Sequence, residues 1–517
     1  MLNSWWKKFI LSLESNQNDQ IKIYSYLFLF ILAVALYGQH AWVPGFFHDG
    51  YLYATFGKNA ALHGHWLVPH LTPVTYGHFS QHTPFVFILE GLFFKVFGAS
   101  YLSARLFALI FLLLTLGLMI HWVEKEGGRI WAFLSGSLFL LIPPLIKKTR
   151  FPNMDTPMML ATLACFYYYW QAWKSGKDSY WIVSGVFFGI AMLCKGPFAF
   201  FIPVVIILHL FFSKRPRKLL ALTPWAGLLL GIGIFAIWPL ALYFHGDWFI
   251  FQEYLGSVFV QSLSEGRGVT DTTFFDYFVF LLKQTAPWFI SALITVFLFF
   301  RSQRQNAFLS FWIILFLLFL FLVSLVKLKY SHYLIPVYPA LAILAAYPLS
   351  LLQRRFLNFY AYAIKISAMG LTLLLLIFPL SVTSSRDQEL FKTLDLLRLL
   401  PQKPNTWGLV DNAYSFFPAT SLVAWEESKN LLLLNRQQFE EWITKGLESV
   451  ISTERHVVTF DKDKTLWVFM VPRQLSIDLV IKYPLLFAQK LKKLILFKNK
   501  DFIILLDKNF HVTIITL

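Results

Sequence analysis

Residues 42–84 read WVPGFFHDGYLYATFGKNAALHGHWLVPHLTPVTYGHFSQHTP, and the reading of this stretch decides the fold. It follows the first long apolar run. It is too polar to cross a bilayer and too rich in Trp, Phe, Tyr and Leu to be an ordinary soluble loop. Amphipathic segments of this kind lie in the headgroup zone, with their apolar face in lipid. Inside it, His48-Asp49-Gly50 sets a carboxylate just beyond the first membrane exit.

The rest of the composition agrees. The chain has 517 residues, 57% hydrophobic and 14% charged, with a mean hydropathy of +0.59. A soluble domain is about 25% charged, so this is a polytopic α-helical membrane protein. The net charge of +17 therefore signals orientation and anionic membrane lipid rather than nucleic acid, which is not expected as a partner. Cys165 and Cys194 sit inside apolar runs, which excludes a disulfide framework. Residues 1–22 lack a small-residue cleavage site, and 23–43 reads as an uncleaved signal-anchor helix.

Further apolar runs follow at 101–123, 131–146, 158–173, 180–194, 197–213, 219–244, 285–300, 307–326, 333–352 and 359–382. With the first they predict about eleven transmembrane helices, in a range of roughly 11–13. Sidedness tests the assignment. With the amino terminus inside, Lys125/Arg129, Lys174/Lys177, the 214–218 KRPRK run, Arg301/Arg304 and Arg354-Arg355 all fall inside. Short inner loops dense in cations are what the positive-inside rule requires. The outer face then receives 44–100, the 147–157 loop, Lys195, the 245–284 loop and the 327–332 loop. Counting 84–97 as a span would invert every later loop, so it is predicted to be an interfacial helix. The transmembrane domain is thus 1–382, with 44–100 as its outer interfacial segment. From 383 to 517 charge returns and strand-like alternation appears at 405–425 and 456–471. An amphipathic helix is predicted at 437–452, which makes a small outer α/β domain.

Several residues could carry chemistry. Asp49 and Asp155 each precede a helical stretch, so each reads either as a helix N-cap or as a functional acid. Two carboxylates open to one side of a membrane favour function, because ionisable groups there are costly. Lys195, in AMLCKGPF, stands between two apolar runs with almost no loop. It is either a snorkelling lysine or an ammonium that needs a phosphate or carboxylate partner. Lys329, with Tyr330, His332 and Tyr333, suits a phosphate at the interface or, equally, an aromatic belt with a basic flank. Arg150 and Arg105 are further outer cations. His63, His65, His78 and His82 could hold a divalent metal. None matches a zinc spacing such as HExxH, and the preferred reading is polar interfacial residues without metal.

Taken in order, Asp49-Gly50-Tyr51-Leu52-Tyr53-Ala54, His65-Trp66-Leu67-Val68-Pro69, Pro84 and Phe97-Gly98-Ala99-Ser100 through Arg105-Leu106 form a pattern. Arg150 with Asp155, Leu193-Cys194-Lys195-Gly196-Pro197 and Lys329 to Pro336 continue it. Over residues 20–350 the chain resembles the aminoarabinose-transferase and protein-mannosyltransferase-like glycosyltransferases of the GT-C fold. The resemblance implies transfer of a sugar from a polyprenyl-phosphate donor to an envelope acceptor on the outer side of the membrane. Displacement in one step would invert the anomeric centre, and the chain's size and lack of glycosylation-rich domains point to a bacterial inner membrane, with the outer side periplasmic. The acceptor would be lipid A, another glycolipid or glycan, or a protein. Asp49 matches the family's first-loop catalytic acid and Asp155 its second outer-loop aspartate. Lys195 and Lys329 match lysines of later motifs and fall on the phosphate side, where Tyr330, His332, His82 and Arg150 would join them. The chain departs from the pattern at Gly50 and Leu52, where the family has an acid and an Arg. It departs again at Gln81-His82-Thr83-Pro84, which replaces acid-Lys-Pro-Pro. These departures leave the sugar unassigned. Gly50 and His82 also keep open a non-catalytic envelope-assembly subunit, and a transporter or flippase of lipid-linked sugars, which needs the same outer cations and an apolar groove, is a further alternative.

Overall fold

The structure is a computed structural model. It describes residues 19–46, 49–71, 77–256, 272–302, 306–327 and 329–352, with scattered positions and short strands beyond them. In chain order its helices are α1 (Asp19–Gly38), α2 (Asp49–His63), α3 (Phe85–Phe97), α4 (Tyr101–Gly127), α5 (Arg129–Leu140), α6 (Pro143–Lys148) and α7 (Asp155–Ser175). There follow α8 (Ser179–Lys195), α9 (Phe201–Phe212), α10 (Leu222–His245), α11 (Trp248–Tyr254), α12 (Asp276–Arg301), α13 (Ala307–Leu325) and α14 (Tyr338–Ser350). The chain divides into two compact units. One holds Met1–Trp42, Ser80–Val86 and Leu102–Leu380. The other holds Val43–Phe79, Phe87–Tyr101 and Ser381–Leu517.

In the first unit, six helical stretches among the described residues are long and apolar enough to cross a membrane. They are Tyr101–Gly127, Ser179–Phe212, Leu222–His245, Asp276–Arg301, Ala307–Leu325 and Ser331–Ser350, while Ser25–Gly38 and Arg129–Leu140 are shorter apolar helices. The runs read from sequence differ from these for local reasons. Pro143 and Pro144 divide 131–146 into α5 and α6. α7, the run at 158–173, is diluted by tyrosines and Gln171. The run at 285–300 is the second half of α12, which bends at Thr285 (φ −137°), two residues before Pro287. The run at 359–382 lies largely outside the described residues.

Two features fix the bundle. The first is the contact of α8 with α10, where Gly185/Gly189 faces Gly227/Gly231. A Cβ on Gly189 would lie 2.7 Å from the Gly231 carbonyl oxygen, and one on Gly231 would lie 2.6 Å from that of Gly185. Small residues four apart on both helices let the backbones touch, which is how helices associate where lipid offers no hydrophobic drive. The second is α14, buried from Tyr338 to Ala346. Pro348 has no N–H for the Leu344 carbonyl, and Thr295 Oγ1 of α12 donates to that carbonyl instead, at 2.6 Å. Ser291 Oγ donates to Ala345 O at 2.7 Å, and Trp131 Nε1 to Ile343 O at 2.8 Å. In a bilayer such carbonyls have no water to fall back on.

In the second unit, α2 buries Tyr51, Leu52 and Phe56. Trp425 is buried with Phe46, Tyr101 and Phe94 around it, at ring-centre distances of 5.5, 5.8 and 6.0 Å. Lys58 Nζ donates to its carbonyl at 2.5 Å. α3 has 13 residues, about 20 Å at 1.5 Å each, too short for a core of about 30 Å. That agrees with its reading as interfacial. Glu90 of α3 is buried against Gly57 of α2.

Towards the carboxyl terminus the strands are β1 (Thr406–Val410), β2 (Asn430–Leu434), β3 (Ile451–Ser452), β4 (Val457–Val458), β5 (Trp467–Pro472), β6 (Phe497–Lys498), β7 (Phe502–Lys508) and β8 (His511–Ile514). The sheet runs β2-β1-β5-β7-β6, with β8 on β7. β1 is parallel to β2 and β5, and β7 is antiparallel to β5. β1, β4 and β5 fall in the two alternating stretches. Of the predicted helix at 437–452, residues 438–450 lie outside the described residues and Ile451–Ser452 is strand.

Candidate active site

The site of the first unit is built where α7 begins and α8 ends. Asn153 works as the cap of α7: its Oδ1 accepts from Thr156 N at 2.8 Å and Thr156 Oγ1 at 2.6 Å. Its Nδ2 donates back to Phe151 O at 2.8 Å. The capping role read for Asp155 therefore falls to Asn153, and the Asp155 carboxylate turns to Lys195, with which it forms an ion pair. The two side chains are 9% and 8% exposed, so this is a buried pair. Each charge also meets a favourable helix end, Asp155 in the first turn of α7 and Lys195 in the last turn of α8.

Aromatic rings complete the setting. Lys195 Nζ lies 4.7 Å from the Tyr333 ring centre and 5.3 Å from that of Phe198, within cation–π range. Phe198 is delivered by a 3₁₀ turn, Gly196–Phe200, that starts at a Gly with φ +60°. A side chain on Gly196 would also collide with the Tyr254 hydroxyl. Tyr333 comes from a second 3₁₀ turn, Ser331–Val337, which also carries His332. His332 stacks on Tyr330 at 5.3 Å and meets Tyr333 edge-on at 4.8 Å. Thr83 Oγ1 donates to the Leu193 carbonyl, which ties the 80–86 segment to the end of α8. Asp155 lies ahead of the apolar run 158–173. Burial opposes its ionisation. The Lys195 ammonium, then His332 and His82, outweigh burial and hold its carboxyl below the usual range.

The structure thus gathers Asp155, Lys195, His332 and His82. Lys329 and Arg150, both expected at the phosphate, hold main-chain carbonyls in this structure. Lys329 Nζ donates to Val326 O at 2.6 Å and Ser324 O at 3.0 Å, which satisfies carbonyls at the end of α13. Arg150 Nη2 donates to Gln39 O at 2.9 Å, and its buried Nε has no partner among the described residues. Arg105 Nη1 holds the next carbonyls, Ala41 O at 2.7 Å and His40 O at 3.2 Å. Both arginines brace the exit of α1. Asp49 belongs to the second unit, where it is the exposed first residue of α2. In that unit His70 is buried beside His65 and His63, with ring centres 4.4 and 6.5 Å away. Burial first, then those two neighbours, push its pKa down to about 4. Among the described residues no three His, Cys, Asp or Glu side chains gather as a metal site needs. Sequence reasoning missed Asn153 and Phe198, close neighbours of the pair in the chain, and Thr83 and Tyr254, which reach the end of α8 from distant segments.

The fold is that of the GT-C glycosyltransferases. The chain superimposes on ArnT from Cupriavidus metallidurans, solved with undecaprenyl phosphate bound, with a TM-score of 0.67 at 14% identity. The match covers 93% of this chain and 98% of that one. The Archaeoglobus fulgidus oligosaccharyltransferase in its apo form follows, with a TM-score of 0.57 at 14% identity over 80% and 65% of the two chains. In sequence, the Dolichyl-phosphate-mannose-protein mannosyltransferase family matches residues 81–240. An uncharacterized protein of Aquifex aeolicus is 25% identical over 59% of each chain. The undecaprenyl phosphate-alpha-4-amino-4-deoxy-L-arabinose arabinosyl transferase of Erwinia tasmaniensis is 25% identical over 63% of this chain and 60% of its own. The matched region thus spans about three-fifths of the length of these curated relatives.

Proposed function

We propose that this chain is an inverting glycosyltransferase of a bacterial inner membrane. It takes a sugar from a polyprenyl-phosphate carrier and passes it to an envelope acceptor (lipid A, another glycolipid or glycan, or a protein) on the periplasmic side. The observation that supports this reading most is the buried Lys195–Asp155 pair in its aromatic and histidine setting, within a fold shared with a protein solved on undecaprenyl phosphate.

The chemistry follows from charge. Breaking the anomeric C–O bond leaves its electron pair, and a second negative charge, on the carrier phosphate. A preorganised cation at that oxygen stabilises the transition state. Lys195 is that cation. With the site empty, Asp155 neutralises it; an arriving phosphate takes the ammonium over, and the Asp155 carboxylate is released to hold a polar group of sugar or acceptor. His82 and His332 lend further donors, as does the unpartnered Arg150 Nε. Lys329 and Tyr330 shape the wall through main-chain contacts. Asp49 is the base that takes the acceptor proton, the role carried over from the resemblance. A phosphate acceptor needs no base, and Asp49 then orients it. The sheet-bearing segment 383–517 stands on the outer face.

A radiolabelled polyprenyl-phosphate sugar, supplied to the purified protein in proteoliposomes with envelope glycolipid, tests this. Label on the acceptor is the expected result. Label that crosses the bilayer still on its carrier would identify a flippase. Neither transfer nor movement would identify an assembly subunit.

A further inference from the structure

At the other end of α8 lies a second feature. A half-open apolar groove is lined by α7, α8, α9 and α10 and by Leu219. Trp181, Leu219, Pro224 and Trp225 wall one end, and it reaches Cys165 and Ile202 at mid-bundle. From Trp181 to Phe188 it follows seven residues of helix, about 10 Å. Its walls are apolar almost throughout. Even the Ser184 hydroxyl turns away, donating to Cys165 O at 2.9 Å. Such a space offers nothing to a sugar or to water and suits hydrocarbon.

Above the Leu219 end stands the turn Lys214-Arg215-Pro216-Arg217-Lys218. Arg215 Nη1 donates to Trp173 O at 2.9 Å, and Lys218 Nζ to Trp173 O and Ala172 O at 3.0 and 3.2 Å. Both thus sit on the end of α7. Lys214 and Arg217 are exposed, and Lys214 holds a left-handed backbone, φ +56°. Among the described residues none of the four pairs with a carboxylate, whereas nearby Lys174 is paired with Glu126 at 2.8 Å.

We propose that this is a lipid site: an acyl chain of an anionic phospholipid fills the apolar slot and its phosphate rests on the 214–218 cations. Charge selects the occupant, since a zwitterionic lipid brings its own cation beside the phosphate and no net negative charge to the turn. Basic pockets between helices at a membrane surface bind such headgroups. Trp181 and Lys195 lie fourteen residues apart on α8, about 21 Å, so this site is separate from the catalytic one and does not depend on its assignment.

The test titrates the delipidated full-length protein with phosphatidylglycerol and with phosphatidylcholine of the same chains, reading the thermal midpoint and bound lipid by native mass spectrometry. Phosphatidylglycerol is expected to bind about twenty-five-fold tighter, at about fivefold for each of the two exposed cations, Lys214 and Arg217. K214Q/R217Q, on an exposed turn where folding is unaffected, should erase that preference. Ile206→Trp should fill the slot and weaken both lipids. Equal binding of the two lipids, or a preference that survives K214Q/R217Q, overturns the proposal. So does undecaprenyl phosphate displacing phosphatidylglycerol at the lower concentration, which would make the slot a carrier site.

Discussion

Replacing Lys195 by methionine removes an ammonium from a carboxylate that is only 9% exposed. The Asp155 charge then lies buried without its partner. Truncating one member of a buried pair costs about 3–5 kcal/mol, whereas replacing both by well-packed neutral groups is often close to neutral. The cation–π contacts with Tyr333 and Phe198 add about 1 kcal/mol to the lysine's share. Lys195→Met and Asp155→Asn should each lower stability by about 3–5 kcal/mol. The double variant should come within about 1–2 kcal/mol of the wild type, a strong coupling of the kind seen between contacting residues. Denaturant titration of the detergent-purified protein, followed by Trp fluorescence, reads all four corners of this cycle. A double variant whose loss equals the sum of the singles would refute the pairing as the organising contact of the site.

Other outcomes follow from the same geometry. Asp49→Asn should reduce transfer by at least about 100-fold, the scale of a lost general base, while expression and membrane insertion persist; near-normal turnover would remove Asp49 from the chemistry. Gly196→Ala should destabilise by at least about 1–3 kcal/mol, because its φ of +60° disfavours a side chain and the methyl meets Tyr254. Adding Tyr254→Phe should restore part of the loss but not the backbone part, and full rescue or none would contradict this. His70 is held neutral to about pH 4 against about 6.5 when unfolded. Between those values the unfolded chain binds more protons, so stability should fall as pH drops from about 6.5 to 4, by about 1–3 kcal/mol, and level off on either side. His70→Asn should flatten that slope, measured as midpoint against pH.

Much of this was legible before any coordinates. Composition and the run of cationic loops fixed a many-helix membrane protein, and the sidedness test kept α3 out of the span list. Its 13 residues are too few to span the hydrocarbon core. Lys195 stood out because an ammonium between two apolar runs requires a partner. Which partner was not readable. Asp155 is 40 positions away, and its own neighbourhood looked like a helix cap until Asn153 was found in that role. Lys329 and Arg150 share the local look of phosphate ligands, and only tertiary contacts reveal that they hold main-chain carbonyls. Tyr254 and Phe198 left no local mark, because each acts through a fold-dependent contact. Gly185/Gly189 and Gly227/Gly231 are different: the spacing is in the sequence, though it names the partner helix only once both motifs are compared. Among the described residues six long stretches and some shorter helices answer to the eleven apolar runs: prolines divide 131–146 and bend α12, 180–194 and 197–213 fall in one stretch joined by a 3₁₀ turn, and 359–382 lies largely outside those residues.

The claim that Lys195 receives the carrier phosphate is tested most directly by equilibrium binding of undecaprenyl phosphate to the wild type and to K195M/D155N, the variant expected to keep near-native stability. The account predicts binding to the wild type and at least about tenfold weaker binding to the double variant, the loss of one charge-assisted contact. Equal affinity for the two proteins would contradict it.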